Sequence, residues 1–133
     1  MTRHRRLIQQ VRTLGRYPSD EEAERVLDTV LTVLGSQLTG EERCELAAVL
    51  PEQARAVFAA QIPLPEPVGA PAFVEAVARA LNTSLTSARW DASSVLAALA
   101  DLAGDPLTDR LLARLPRGYA LLFGCADLTA AAA

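Results

Sequence analysis

Leu46-Ala47-Ala48-Val49-Leu50-Pro51, with Phe58 seven residues past the proline, returns 65 positions later as Leu111-x-Ala113-x-Leu115-Pro116 with Phe123. A leucine that fills a core at the end of one helix, a proline that forces a break, and an aromatic two turns along the next helix make a corner. Proline is excluded from a helix interior but preorganised at its start. A corner used twice predicts an all-α chain built from a duplicated helical unit, two lobes of about four short helices packed into one bundle-like domain.

Outward from the first corner, Thr39 and Glu42 have capping-box spacing and open a third helix carrying Leu46, Val49 and Leu50. Upstream, Ser19 with Glu22 makes the same box, and Asp20, Glu21 and Glu22 suit the positive end of a helix dipole. Ala23, Val26, Leu27, Val30, Leu31 and Leu34 then form one buried stripe, closed by Gly35. The first helix is expected from Arg3 to Leu14, with Leu7, Ile8, Val11 and Leu14 on its apolar face and Gly15 as a left-handed stop. The fourth helix starts at Pro51, carries Ala54, Val57 and Phe58, and ends near Gln61.

Downstream, Ile62-Pro-Leu-Pro-Glu-Pro-Val-Gly-Ala-Pro71 fits neither helix nor central strand and reads as a semi-rigid polyproline-like connector. The pattern then begins again. Phe73, Val74 and Val77 match Leu7, Ile8 and Val11, and Asp91-Ala92-x-x-Val95-Leu96-x-x-Leu99 matches Glu22-Ala23-x-x-Val26-Leu27-x-x-Val30. The offset between copies runs 66, then 69, then 65. The widening places Trp90 in a longer loop ahead of the sixth helix, which Gly104 closes. Asp105-Pro106 begins a helix ending at Leu115, and Pro116 opens the last one. The expected divisions are 1–61, the first repeat with its basic arm; 62–70, the linker; 71–124, the second repeat; and 125–133, a frayed tail.

At 133 residues with 50% hydrophobic and 22% charged content, the chain can bury a core without staples. No apolar run approaches the ~18 residues of a membrane span, and Gln9, Gln10 and Arg12 interrupt anything like a secretory leader. Cys44 and Cys125 follow no disulfide pattern; they read as reduced thiols of a cytoplasmic protein, with Cys44 buried as a small apolar residue.

The search for chemistry is negative. Glycines stand singly at expected helix ends, with no phosphate-binding loop, and no GxSxG elbow is present. One histidine and two distant cysteines do not make a metal site, and His4 has only Arg3, Arg5 and Arg6 around it in sequence, with no anchoring carboxylate. No catalytic residue, cofactor or metal is therefore expected. Partner binding has two sources. Residues 1–17 hold five Arg and no acid, against 8 Arg and 16 acids in the rest, a +5 arm on a −8 body. Arg3, Arg5 and Arg6 could reach an anionic partner such as nucleic acid, or serve as a helix start facing water and the body's acids. Trp90 could anchor a partner or act as a lid on the core. All 13 basic residues are Arg and none is Lys, which reads as coding bias.

Glu22-Ala23-x-x-Val26-Leu27, Leu46 to Pro51, Phe73-Val74-x-x-Val77 and Leu115-Pro116…Leu122-Phe123-Gly124 together resemble DUF2267, a family of small bacterial α-helical proteins of unknown function. The likeness covers roughly residues 7–124; Leu7, where the family tends to carry Phe, and the basic start depart from it. The resemblance implies a duplicated all-helical fold in the bacterial cytosol and brings no catalytic residues with it. The leading expectation is a non-enzymatic module that binds a protein, itself or another. The alternatives are nucleic-acid association through the arm and an apolar small-molecule carrier with its pocket between the lobes.

Overall fold

The computed structural model describes residues 2–124; the 125–133 segment and Cys125 lie outside the described residues. The described chain is all-helical: α1 (Arg3–Gly15), α2 (Asp20–Gly35), α3 (Gly40–Val49), α4 (Glu52–Ala59), α5 (Ala70–Leu81), α6 (Leu85–Ala103), α7 (Asp105–Arg114) and α8 (Tyr119–Leu122). None of these helices is long and apolar enough to cross a membrane.

The two longest helices organise the rest. The expected stripe of α2 is buried at every position, from Ala23 to Leu34, because its apolar residues recur at helical spacing. α1, α4 and α5 pack on α2, while α1, α5, α7 and α8 pack on α6. One continuous apolar core results, running from Leu7 and Val11 through Leu27 and Phe58 to Phe73, Val95 and Tyr119. Phe73 and Tyr119 meet edge-to-face at 5.4 Å between centroids, the arrangement that ring quadrupoles favour.

Both corners differ from expectation in the role of proline. Pro51 is the residue flanking α4, which begins at Glu52. Pro116 starts a turn, closed by the Tyr119 amide on its carbonyl at 3.2 Å, and α8 begins only at Tyr119. The first corner is clasped by arginines. Arg55 donates to the carbonyls of Ala47 (2.8 Å), Ala48 (3.4 Å) and Leu50 (2.9 Å), and Arg3 reaches that of Val49 at 2.7 Å. Guanidinium groups thus satisfy the last orphan carbonyls of α3 at the negative end of its dipole. At the second corner the position matching Arg55 is Ala120, and among the described residues no arginine clasps the end of α7.

Three further expectations change. Gly15 is the last residue of α1, and Arg16 takes the left-handed conformation (φ 56, ψ 42). Gly15 is needed for another reason: the Tyr17 ring lies where its Cβ would stand, with the Tyr17 hydroxyl donating to Asp91 at 2.5 Å. Thr39 flanks α3 but its side chain makes no capping bond, and the Glu42 carboxylate, the other half of the expected box, accepts from Arg114 instead. Cys44 is exposed, since α3 turns only Glu42 and Leu46 inward.

The larger change concerns Trp90. No long loop precedes α6. Ser84 accepts the Ser87 amide at 3.1 Å as the cap, and Ala88 and Ala92, both fully buried, carry the stripe onward. The helix runs to 19 residues, against 16 in α2, and Trp90 sits inside it.

Polar ties bind the two halves. Gln10 donates to Asp101 at 2.6 Å, Arg25 to the Leu81 carbonyl at 3.3 Å, Arg114 to Glu42 at 2.7 Å, and Arg110 pairs with Glu45 through both nitrogens, one at 2.9 Å. The connector is fixed as well: the Leu64 amide donates to Ser36 (2.9 Å), the Val68 amide to Gln37 (2.7 Å), and the Tyr119 hydroxyl to the Val68 carbonyl (2.9 Å).

The α3–α7 pairs give the fold an acid dependence with a definite sign. The hydrogen bond from Arg114 holds the Glu42 carboxyl below its usual value, and that from Arg110 does the same for Glu45. A carboxylate lowered in the folded state stabilises at pH above its unfolded value, about 4.3, and that stabilisation fades as pH falls through the lower folded value. Asp91 and Asp28, raised chiefly by burial, act in the opposite sense. The urea midpoint of an Arg110→Gln/Arg114→Gln variant is therefore expected to lie below that of the parent at pH 7 and to approach it on acidification. A gap that persists at low pH would mean that these arginines act by packing alone.

Candidate functional site

The residues singled out by sequence are not brought together. Arg3, Arg5 and Arg6 stand on the first turn of α1, and Trp90 lies against its far end, about 18 Å along the helix at 1.5 Å per residue. Arg3 is occupied by the Val49 carbonyl. Arg5 lies 3.8 Å from Asp20, and Arg12 is held more closely there at 2.9 Å. Arg6 is exposed and enters no ion pair among the described residues. Trp90 is half exposed and its indole N–H donates to the Gly15 carbonyl at 3.0 Å, satisfying an orphan acceptor at the end of α1. It caps a helix rather than lidding the core.

His4 has the carboxylate that its sequence neighbours lack. It is buried between α1 and α2, and its Nε2 lies 3.1 Å from Glu24 Oε2, twenty residues away. Its Nδ1 is buried without a partner. One turn along α2, Asp28 has its carboxyl raised by burial and by the charge of Glu24. No hydroxyl or thiol is hydrogen-bonded to His4 among the described residues, so the pair lacks a nucleophile to activate. Nor do any three His, Cys, Asp or Glu residues stand where they could share a metal ion, among the described residues.

The structure adds a feature that sequence reasoning missed. An apolar groove of about 380 Å³ opens between α5, α6 and α8. Pro71 and Val74 of α5 form one wall, Leu85 of α6 another, and Leu121 and Leu122 of α8 the third. Leu85 and Leu121 are each 56% exposed, far more than the leucines of the core, which places uncovered apolar surface on the rim. Glu75 and Arg89 also line the groove, and neither enters an ion pair among the described residues. The close approach of α8 depends on Gly118, where a Cβ would fall 2.8 Å from Ala70 Cβ. The groove lies within the second half, at the corner that no arginine clasps, and its shape and lining suit an inserted apolar side chain. The one available signal was the leucines left over from each helical stripe: Leu85 one residue past the Ser84 cap, and Leu121 just before the buried Leu122 and Phe123.

A family model described as an uncharacterized conserved protein, DUF2267, matches residues 4–122, nearly the whole chain. No curated protein matches it.

Proposed function

The chain belongs to the DUF2267 family, and from that premise we propose that it is a cytosolic, non-enzymatic interaction module that holds an apolar segment of a protein in the α5–α6–α8 groove. The observation that carries this reading is the pair of half-exposed leucines, Leu85 and Leu121, on the rim of an apolar hollow. Apolar surface of this kind marks docking sites, and grooves between helices accept amphipathic partners. The same reading takes the halves as copies of one unit: helices of 13, 16, 10 and 8 residues are followed by helices of 12, 19, 10 and 4. The shortest and least clasped helix of the pair, α8, then becomes the one that shapes a site. The nucleic-acid alternative has less support, because Arg3 and Arg12 spend donors on backbone carbonyls and Arg12 also pairs with Asp20.

A photo-crosslinking side chain placed at Leu121 tests the reading in cells. An adduct of discrete mass is expected there, absent when the probe is moved to the exposed Glu21 of α2, and lost when Leu85→Glu is added. Equal labelling from Glu21, or no adduct from position 121, would overturn it.

A further inference from the structure

We propose that α8 is a strap: it lifts off α5 and α6 as one unit while the rest of the protein stays folded, and so opens the groove into a slot between those two helices. The strap concerns the groove of the reading above but needs no partner, and its test uses none.

The 65-residue offset lets the two corners be compared position by position. In the first, two arginines fasten α4. Arg43 donates to carbonyls at its C-terminal end, those of Phe58 (3.3 Å), Ala59 (3.4 Å) and Gln61 (2.8 Å), and Arg55 ties it to the end of α3. The matching residues of the second corner are Thr108 and Ala120. Thr108 turns its hydroxyl to the Ala100 carbonyl of α6 at 3.4 Å, and Ala120 has no side-chain donor to offer. Among the described residues no side chain donates to a carbonyl of α8, so the orphan acceptors that anchor α4 hold nothing here.

Tyr119 is the pin. Where α4 buries Ala54, α8 buries Tyr119, and both are fully covered. Its ring meets Phe73 of α5 and its hydroxyl donates to the Val68 carbonyl at 2.9 Å, so one side chain joins α8 to a helix and to the connector. Both contacts break together when that side chain withdraws. α8 has four residues, too few to persist as a helix once its packing is lost, and its weak internal bonds go with it. Those are the Tyr119 amide on Pro116 (3.2 Å), the Ala120 amide on Arg117 (3.3 Å) and the Phe123 amide on Tyr119 (3.0 Å). Burial of Tyr119 and Leu122 favours the closed strap, while the backbone freedom of the whole segment favours the open one. Leu121, 56% exposed, weighs little on either side. The turn from Pro116 to Gly118 serves as the hinge. Opening uncovers the Phe73 ring, adding it to a lining that already holds Val74 and Leu85.

Hydrogen exchange followed by NMR on the full chain, in urea below the unfolding transition, tests this. The amides of Tyr119, Ala120 and Phe123 are expected to share one opening equilibrium, about 100-fold more open than that of the Phe58 amide in α4 and far less sensitive to urea. Arg43→Lys should speed exchange in α4 about ten-fold and leave the α8 amides as they were, because the closed and lifted strap feel that change equally. Ala120→Arg restores a clasp that acts only on the closed strap, and should slow the α8 amides about five-fold. Protection in α8 equal to that in α4, or acceleration of both by Arg43→Lys, would show that α8 opens only when the whole chain unfolds. Protection lost residue by residue from Gly124 inward would be fraying, not a strap. Unchanged α8 exchange in Ala120→Arg would show that the missing clasp is not what frees it. Any of these results overturns the inference, and none bears on whether position 121 yields an adduct.

Discussion

Replacing Arg43 with methionine is expected to cost about 3 kcal/mol of stability, with the folded baseline of Trp90 fluorescence preserved and the urea midpoint sharply lowered. Arg43 rises from the first turn of α3 and lays its guanidinium over the Phe58 ring, 5.0 Å from the centroid. One nitrogen donates to the carbonyls of Gly35 and Leu38, the latter at 3.2 Å. The other is shared among Phe58 (3.3 Å), Ala59 (3.4 Å) and Gln61 (2.8 Å). A single side chain thereby serves the orphan carbonyls at the ends of two helices, α2 and α4, and methionine would leave them partly buried and unpaired. Arg43→Lys is the discriminating control. It keeps the charge and the stem but not the planar fork, so it should recover only about 1 kcal/mol of the loss. Full recovery by lysine would show that charge alone, rather than the spread of donors, holds these ends.

That comparison bears on how much of the molecule its sequence discloses. The all-helical class, the stripe of α2 and the existence of both corners follow from apolar spacing and from Pro51 and Pro116, because these are local signals. The chain's Lys-free composition reads as coding bias, yet Arg12, Arg43 and Arg55 each spread their donors over several backbone carbonyls. Which carbonyls are orphaned is a property of the folded chain. His4 and Glu24 are similarly illegible, being twenty residues apart on different helices. Trp90 lies elsewhere than its sequence suggests for a different reason: aligning residues 71–124 on the first half assigns the extra residues to a loop, whereas the Ser84 cap and buried Ala88 start α6 five residues before Trp90. The groove escaped because three helices supply its walls, and no one of them shows it.

Gly35→Ala should destabilise the fold by about 2 kcal/mol, although alanine is the better helix former by about 1 kcal/mol. Gly35 closes α2 at the place where α4 ends against it. A Cβ there would fall 2.5 Å from the Phe58 carbonyl oxygen and 2.6 Å from Gln61 Cγ. The glutamine side chain can swing aside; the carbonyl cannot, because it belongs to the last turn of α4 and Phe58 is fully buried. Relief therefore requires α4 to move off α2, and the same movement pulls the Gly35 and Phe58 carbonyls out of reach of Arg43. The two substitutions act on one joint, so their effects should fall short of additive: the Gly35→Ala/Arg43→Met double variant should lose about 1 kcal/mol less than the sum of the singles. For a chain of this size the single Gly35→Ala change corresponds to a melting temperature lower by about 6 °C. Unchanged or raised stability in Gly35→Ala would mean that α4 yields at little cost, and strict additivity in the cycle would separate helix packing at this joint from the arginine that spans it.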